Sequence, residues 1–487
     1  MDDKELSLET VKKRVVAGII ALTGRNFVLQ GVSFASFLIL QGILTSSEYG
    51  MYFLVLSVVG FLTYFSDIGL AAALIQKKER LGGGDLKTTF LVQQVLVISL
   101  LTLLFFATGR IQGFFHLSSE GVWLLRALGF SLFLSSLKTI PSVLLERSVQ
   151  FTKLIIPQIA EVIVFNGLLI FLALRGFGVN SFTWSVLARG LVGLVIIYFI
   201  QPWRPGFAFS RESLNKLFRF GIPYQANTLL AMVKDDGMTL VLGRILGVSG
   251  LGFLGWAKKW SEAPLRFFMD QVIKVTFPAY SRMQDNKEEL SRALSKSVFF
   301  VSFLVFPSLA GLVLLAPILI EVVGRYQHWK PALLALGLFS VNTFFASFTT
   351  PLTNYLNAVG KIKTHFKFIT MWTVLSFIFI PPLAEIYGFN GAAFGAALVG
   401  VSSLIPVWVI TREIKLDFST SIFKPLVASL GMGLVMLGGR ELAGLSLSSF
   451  FILGFSGLVV YLILVRLLIG DDLAEDVKKV FVSLGKK

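Results

Sequence analysis

The feature that most limits what this chain can fold into is a run of fourteen apolar stretches. Each is roughly 20 residues long, and only short polar breaks separate them. They are centred near Arg25, Leu62, Ile98, Phe133, Phe165, Ile196, Leu230, Phe267, Leu309, Phe344, Leu375, Leu398, Met432 and Val459. About 20 residues of helix cross the hydrocarbon core of a bilayer, and a helix satisfies its own backbone hydrogen bonds there. The pattern predicts an all-α integral membrane protein of about 14 transmembrane helices. Shared over 487 residues, this leaves about 35 residues for each span and its loop, so no soluble domain is inserted.

Composition agrees and removes other classes. Charged residues make up 15% of the chain, against roughly 25% in a soluble domain. A soluble globular enzyme and a disordered chain are both excluded. There is no Cys, which excludes disulfides, thiolate metal sites and a Cys nucleophile. Three His residues leave little room for a His-based metal centre, so no metal and no bound cofactor are expected.

The net charge of +16 would suggest nucleic acid on a soluble protein. On a membrane protein it reports basic cytoplasmic loops, and no nucleic-acid partner is expected. With the N-terminus inside, 29 of the 44 Lys and Arg residues fall in inside segments and six fall outside. The six are Arg110, Arg175, Arg244, Arg325, Lys330 and Arg440. One missed span would invert every later loop and spoil this alternation. The count predicts cytoplasmic N- and C-termini. The N-terminus does not read as a cleaved signal. Met1–Lys13 and Asp471–Lys487 read as amphipathic cytoplasmic anchors on membrane lipid.

An internal repeat organises the spans. Leu40–Gly50 (LQGILTSSEYG) and Leu242–Gly252 (LGRILGVSGLG) match at five of eleven positions, at an offset of 202. Both close the first span of a six-helix set. The expectation is two six-helix lobes related by an axis along the membrane normal: 1–203 and 217–412. A cytoplasmic linker over 204–216 follows the helix-breaking PWRP. Two appended helices over 413–470 and the tail 471–487 complete the chain.

Nine basic residues remain inside spans, where each is costly and faces a bundle interior or a wet cavity. Arg25 lies near the middle of span one, with Lys138 in span four, Glu161 in span five and Arg189 in span six. Span seven holds Lys234, Asp235 and Asp236 together. In span eight, Glu262, Arg266, Asp270 and Lys274 are each four apart and share one helix face, while Leu265, Phe268, Met269 and Val272 make the opposite one. Such a ladder either lines a wet cavity or neutralises itself as helix–helix glue. Arg126, Lys258 and Lys259 read as snorkelling to headgroups. Bases outnumber acids, and an excess of buried positive charge needs a counter-anion. Arg25, Lys138, Arg189, Lys234, Arg266 and Lys274 are therefore candidates for an anionic group. Glu161, Asp235, Asp236 and Asp270 are candidates for taking up a proton or Na⁺.

Several segments carry a family resemblance: TSSEYG at Thr45–Gly50, FSDIGLAAALIQ at Phe65–Gln76, LLERSVQFTK at Leu144–Lys153, PWRP followed by LFRFG within Pro202–Gly221, and VTFPAYSRMQDNKEE at Val275–Glu289. With them the chain resembles the polysaccharide transporter family of Wzx-type lipid-linked oligosaccharide flippases. This family sits in the multidrug/oligosaccharidyl-lipid/polysaccharide exporter superfamily, and the colanic- and teichuronic-acid-like subgroup looks nearest. The resemblance implies two lobes forming a V around a central cavity that opens alternately to each side. It implies an undecaprenyl-pyrophosphate-linked glycan as cargo, coupling to a proton or Na⁺, and a bacterial cytoplasmic (inner) membrane location. It also implies company with a polysaccharide polymerase and chain-length machinery. Two alternatives stay open: a drug/cation antiporter of the same superfamily, and a membrane glycan polymerase or ligase. The first is disfavoured by a cationic interior. The second usually needs a long catalytic outer loop, and the longest outer connection here is about a dozen residues.

Overall fold

In a computed structural model of the protein, the structure describes residues 8–77, 79 and 81–470. Their regular secondary structure is entirely helical, with no strand among the described residues. The tail Asp471–Lys487 and the first seven residues of the Met1–Lys13 anchor lie outside them. In chain order the helices are α1 (Leu8–Leu40), α2 (Ser46–Tyr64), α3 (Leu70–Gln76), α4 (Gly83–Phe115), α5 (Ser119–Arg147), α6 (Phe151–Leu174), α7 (Val179–Ile200) and α8 (Arg211–Met232). They continue with α9 (Met238–Arg282), α10 (Lys287–Val322), α11 (Leu333–Ala358), α12 (Ile362–Val401), α13 (Leu404–Thr411), α14 (Lys424–Ala443) and α15 (Leu447–Ile469).

Ten helical segments among the described residues are long and apolar enough to cross a membrane. One of them, Ile362–Thr411, has 50 residues, and its backbone breaks at Gly388, which leaves room for two crossings. The expected fourteen are not reached by length and apolarity alone. Arg211, Glu212, Lys216 and Arg219 dilute α8, and the described apolar part of α1 is the shorter Gly24–Leu40. Contacts divide the chain into two compact units, Met1–Gly252 and Phe253–Lys487. The segment 217–252, expected to open the second lobe, is packed with the helices before it.

In the first unit, α7 packs on α5 and α6, and α1 packs on α6. The motif TSSE is a capping box: Thr45 N–H donates to Glu48 Oε2 at 2.6 Å, and Glu48 N–H donates to Thr45 Oγ1 at 3.4 Å. Thr45 thereby starts α2. Its repeat partner at the 202 offset is Gly247, where α9 breaks with φ 64° and ψ −179°. Only Gly adopts that backbone without strain. Both copies of the repeat thus interrupt the chain at the same position.

The two copies also touch. Ser46 Oγ and Ser249 Oγ are 3.1 Å apart. A Cβ on Gly50 would overlap the Val248 carbonyl oxygen, and a Cβ on Gly252 would overlap the Ser46 carbonyl oxygen. At the offset, Gly50 maps to Gly252 and Ser46 to Val248. The two contacts are images of each other, as a local two-fold axis requires. At the other end of α2, Gly69 and Gly221 meet backbone to backbone. There Tyr64 donates to the Gln225 carbonyl, and Gln225 Nε2 returns a bond to the Tyr64 carbonyl at 2.6 Å. A second correspondence was not read from sequence. Gly178 (φ 53°, ψ −128°) precedes α7, and Gly388 (φ 63°, ψ −149°) breaks α12; each is followed two residues on by an Asn.

In the second unit the apolar face of the charged ladder is core. Met269 and Val272 are buried with Val301, Val305 and Leu309 of α10. Polar side chains lock neighbouring helices: Asn342 Nδ2 to the Ala396 carbonyl at 2.6 Å, Asn354 Nδ2 to Thr276 Oγ1 at 3.0 Å, and Tyr461 to the Phe303 carbonyl at 2.7 Å. Such bonds are helix–helix glue. Prolines such as Pro157, Pro307 and Pro351 lie inside continuous helices.

The connection between α13 and α14 is pinned to α10. Asp417 N–H donates to Ser295 Oγ at 3.2 Å, and Ser421 Oγ donates to the Ser295 carbonyl at 2.9 Å. The Asp417 carboxylate accepts from Thr420 N–H at 3.1 Å. Hydrogen bonds from the Thr420 side chain and backbone hold this carboxyl below the usual range. A depressed carboxyl stabilises the fold above its unfolded pKa, and the contribution is lost as pH falls through the folded value. Asp417→Ala should lower the thermal midpoint of the detergent-solubilised protein by about a degree at pH 7, from a cap worth about 1 kcal/mol. The difference should narrow below about pH 4, and scanning fluorimetry across that range reads it.

Candidate functional site

Helix α1 has 33 residues and is therefore about 50 Å long. Arg25 stands near its middle, about 22–26 Å from either end. That places a half-buried guanidinium where lipid would surround it. Its contacts are amides: Nη1 donates to Gln158 Oε1 of α6 at 2.6 Å, while Nη2 and Nε donate to Asn26 Oδ1 at 2.8 and 3.2 Å. No carboxylate pairs with it among the described residues.

The same face of α6 receives two more cations. Gln158, Glu161 and Phe165 are spaced i, i+3, i+7 and share that face. Lys138 of α5 donates to Glu161 Oε1 at 2.6 Å, and the two side chains are 16% and 19% exposed. Arg189 of α7 lies over the Phe165 ring, 5.5 Å from its centroid, a cation–π placement. On the same helix as Arg189, Phe182 is stacked on Tyr52 of α2 at 4.3 Å. Like Arg25, Arg189 has no carboxylate partner among the described residues. Glu161 fits its slot because residue 193 is glycine; a Cβ there would overlap Glu161 Oε1. Gly193 is one turn beyond Arg189 on α7.

Three of the six proposed cations, Arg25, Lys138 and Arg189, therefore come to one face of one helix, with Glu161 as their one acid among the described residues. Gln158 and Phe165 complete this arrangement and were missed in the sequence, where a single amide or ring in an apolar helix reads as packing. The available signal was their spacing from Glu161.

The remaining candidates lie elsewhere. Lys234, Asp235 and Asp236 fall in a π-helical turn, Val233–Gly237, between α8 and α9. Such turns recur at functional sites. Asp236 rests against Gly60 of α2 and bonds with Ser57. In the second unit, Arg266 and Glu262 pair at 2.8 Å with Arg266 74% exposed, and Lys258 reaches Glu262 at 3.9 Å. Lys274 is exposed on the same helix; the Asp270 side chain lies outside the described residues. Arg126 is exposed and lies over the Trp123 and Phe105 rings at 5.4 and 5.7 Å, as a snorkelling arginine does. No group of three or more potential metal ligands occurs among the described residues.

Comparison with known proteins adds family information. Residues 39–334 match the family described as polysaccharide biosynthesis protein. The chain is 25% identical over 446 residues to the succinoglycan biosynthesis transport protein ExoT of Rhizobium meliloti, covering 88% of this chain and 87% of that one. It is 23% identical over 457 residues to the lipopolysaccharide biosynthesis protein WzxC of Escherichia coli, covering 88% and 89%. Among solved structures it is similar to the lipid II flippase MurJ in an inward closed conformation, with a TM-score of 0.74 and 16% identity over 94% of this chain and 99% of that one. At that identity the last match speaks for the fold alone.

Proposed function

The chain belongs to the polysaccharide biosynthesis protein family, and from that membership we propose that it is a flippase for a lipid-linked oligosaccharide. Its cargo is an undecaprenyl-pyrophosphate-linked repeat unit, moved from the cytoplasmic to the outer leaflet of a bacterial inner membrane by alternating access. The observation that carries this reading is the pair Arg25 and Arg189, held on one face of α6 without carboxylate partners. A half-buried cation within a membrane span and without a carboxylate partner is costly, and a bound anion offsets that cost. The pyrophosphate is the part of the cargo that hydrocarbon excludes. Arg meets phosphate oxygens bidentately, and Lys138 adds a point charge nearby. The polyprenyl tail stays in lipid. No covalent step is involved, so the protein acts as a transporter and not as an enzyme.

Fourteen crossings follow when Ile362–Thr411 counts as two and α1, α2 and the α8–Leu246 stretch are added to the segments already long enough. With the 29-to-6 distribution of basic residues, both termini are cytoplasmic. We assign the two lobes to 1–203 and 217–412, with 413–470 appended. Glu161, Asp235 and Asp236 are the acids placed to couple transport to a proton or Na⁺. A polysaccharide polymerase is the next consumer of the cargo in this reading.

Deleting the gene in its host should leave lipid-linked repeat units on the cytoplasmic side of spheroplasts, out of reach of an externally added glycosidase. Re-expression should restore their exposure. Absence of accumulation, together with new sensitivity to cationic drugs, would assign the chain to drug export instead.

A further inference from the structure

The cation cluster on α6 has a definite charge, and one residue sets it. Arg25 and Arg189 each contribute one positive charge. Lys138 and Glu161 cancel through their 2.6 Å bond, in surroundings that leave them 16% and 19% exposed. The site therefore carries a net charge of two. We propose that Glu161 is a specificity-determining residue that matches this site to a pyrophosphate diester and against a pyrophosphate monoester. The inference rests on the flippase reading above, since it concerns the same cluster.

The chemistry is that of the two forms of the carrier lipid. A pyrophosphate joined to lipid at one end and sugar at the other carries two negative charges. A carrier bearing a free terminal phosphate gains a further ionisation, with a pKa near 6, and approaches three charges at pH 8. A site of net charge two neutralises the diester and leaves the monoester with an uncompensated charge in a poorly solvated place. By neutralising Lys138, Glu161 withholds the third positive charge that the monoester would need, and withholding compensation from the wrong ligand is a general route to specificity. The arrangement around Glu161 supports a fixed charge over an adaptable one. The carboxylate occupies a slot that exists because residue 193 lacks a Cβ, and Lys138 reaches it from a neighbouring helix.

Without Glu161 the site would carry three positive charges and suit the monoester. The benefit of excluding it is directional: a flippase that accepted the spent carrier would return it without cargo and waste cycles.

The test uses the full chain in nanodiscs at pH 8, titrated with farnesyl diphosphate as the monoester and its N-acetylglucosaminyl ester as the diester. The wild type should bind the diester at least about tenfold more tightly. Glu161→Gln, nearly isosteric, should abolish or reverse that preference by tightening the monoester about tenfold or more. The double variant Lys138→Met/Glu161→Gln returns the net charge to two and should restore the preference, although the ion pair is gone. An unchanged ratio in Glu161→Gln, no preference in the wild type, or no restoration in the double variant overturns the proposal. Arg25→Ala and Arg189→Ala, run in parallel, test the underlying reading separately: if both bind the diester as the wild type does, the flippase site itself is misplaced.

Discussion

Replacing Arg25 with Ala is expected to abolish export of the lipid-linked glycan, while the protein still inserts and accumulates in the membrane. The guanidinium stands mid-way along α1 and is oriented by Gln158 Oε1 at 2.6 Å. Losing one member of a buried, hydrogen-bonded charge pair costs about 2–5 kcal/mol, or about thirtyfold to a few thousandfold in substrate affinity. Arg189→Ala should have an effect of the same order. Arg25→Lys should rescue only part, because an ammonium cannot make the bidentate fork with phosphate. Gln158→Ala should be milder, about tenfold, since the amide positions Arg25 and carries no charge. Retention of lipid-linked repeat units on the cytoplasmic side, normalised to protein in the membrane, measures all four. Normal export by both Arg25→Ala and Arg189→Ala would remove the pyrophosphate role.

The second large effect is expected at the glycine crossing of the two repeat copies. Gly50→Ala and Gly252→Ala each drive a methyl group into a backbone carbonyl of the facing copy. A carbonyl cannot rotate aside as a side chain can, so the helices must move apart. Overpacking of this kind costs about 1–3 kcal/mol or more. The Ser46–Ser249 contact at 3.1 Å reports on it. The chain has no Cys, so Cys introduced at positions 46 and 249 will crosslink without background. Either glycine substitution should lower the crosslink yield about tenfold. Because the two contacts are images of each other, the two losses should be equal within error. Gly167→Ala, which has open space around it, should change nothing. Undiminished crosslinking in both variants would mean the copies do not meet this tightly.

How much of this could be read beforehand depends on which interactions are local. The Glu262–Arg266 pair lies within one helix at i,i+4, and its spacing alone announces it. The burial of Met269 and Val272 follows from the same periodicity. Arg25 stood out because depth along a helix is a count of residues. The Lys138–Glu161 pair was not legible in this way. Both residues were singled out, but for different roles, because their 23-residue separation puts them on adjacent helices whose rotation no sequence pattern sets. Proline is the residue expected to break a helix, yet Pro157, Pro307 and Pro351 lie inside continuous helices and the backbone leaves helical geometry at Gly247 and Gly388; a membrane helix can absorb a proline when its neighbours satisfy the freed carbonyl. The 202-residue repeat was visible between Leu40–Gly50 and Leu242–Gly252. Its continuation at Gly178 and Gly388 was not, since the offset there has grown to 210 and a lone Gly with an Asn two residues on has no statistical weight.

Those glycine breaks bear on how fast the molecule can work. At Gly247 and Gly388 the chain passes from one helix to the next across a single residue of positive φ, and between α6 and α7 it does so within the four residues Arg175–Gly178, where Gly176 and Gly178 both have positive φ. In the proposed orientation all three reversals lie on the outer side. At these three places the connection is too short to fold over a departing sugar chain as a lid. Release has to come from whole helices sliding or parting, which are motions of microseconds to milliseconds. The turnover of such a machine would be governed by the stiffness of its helix contacts, and the viscosity or thickness of the surrounding bilayer would tune it.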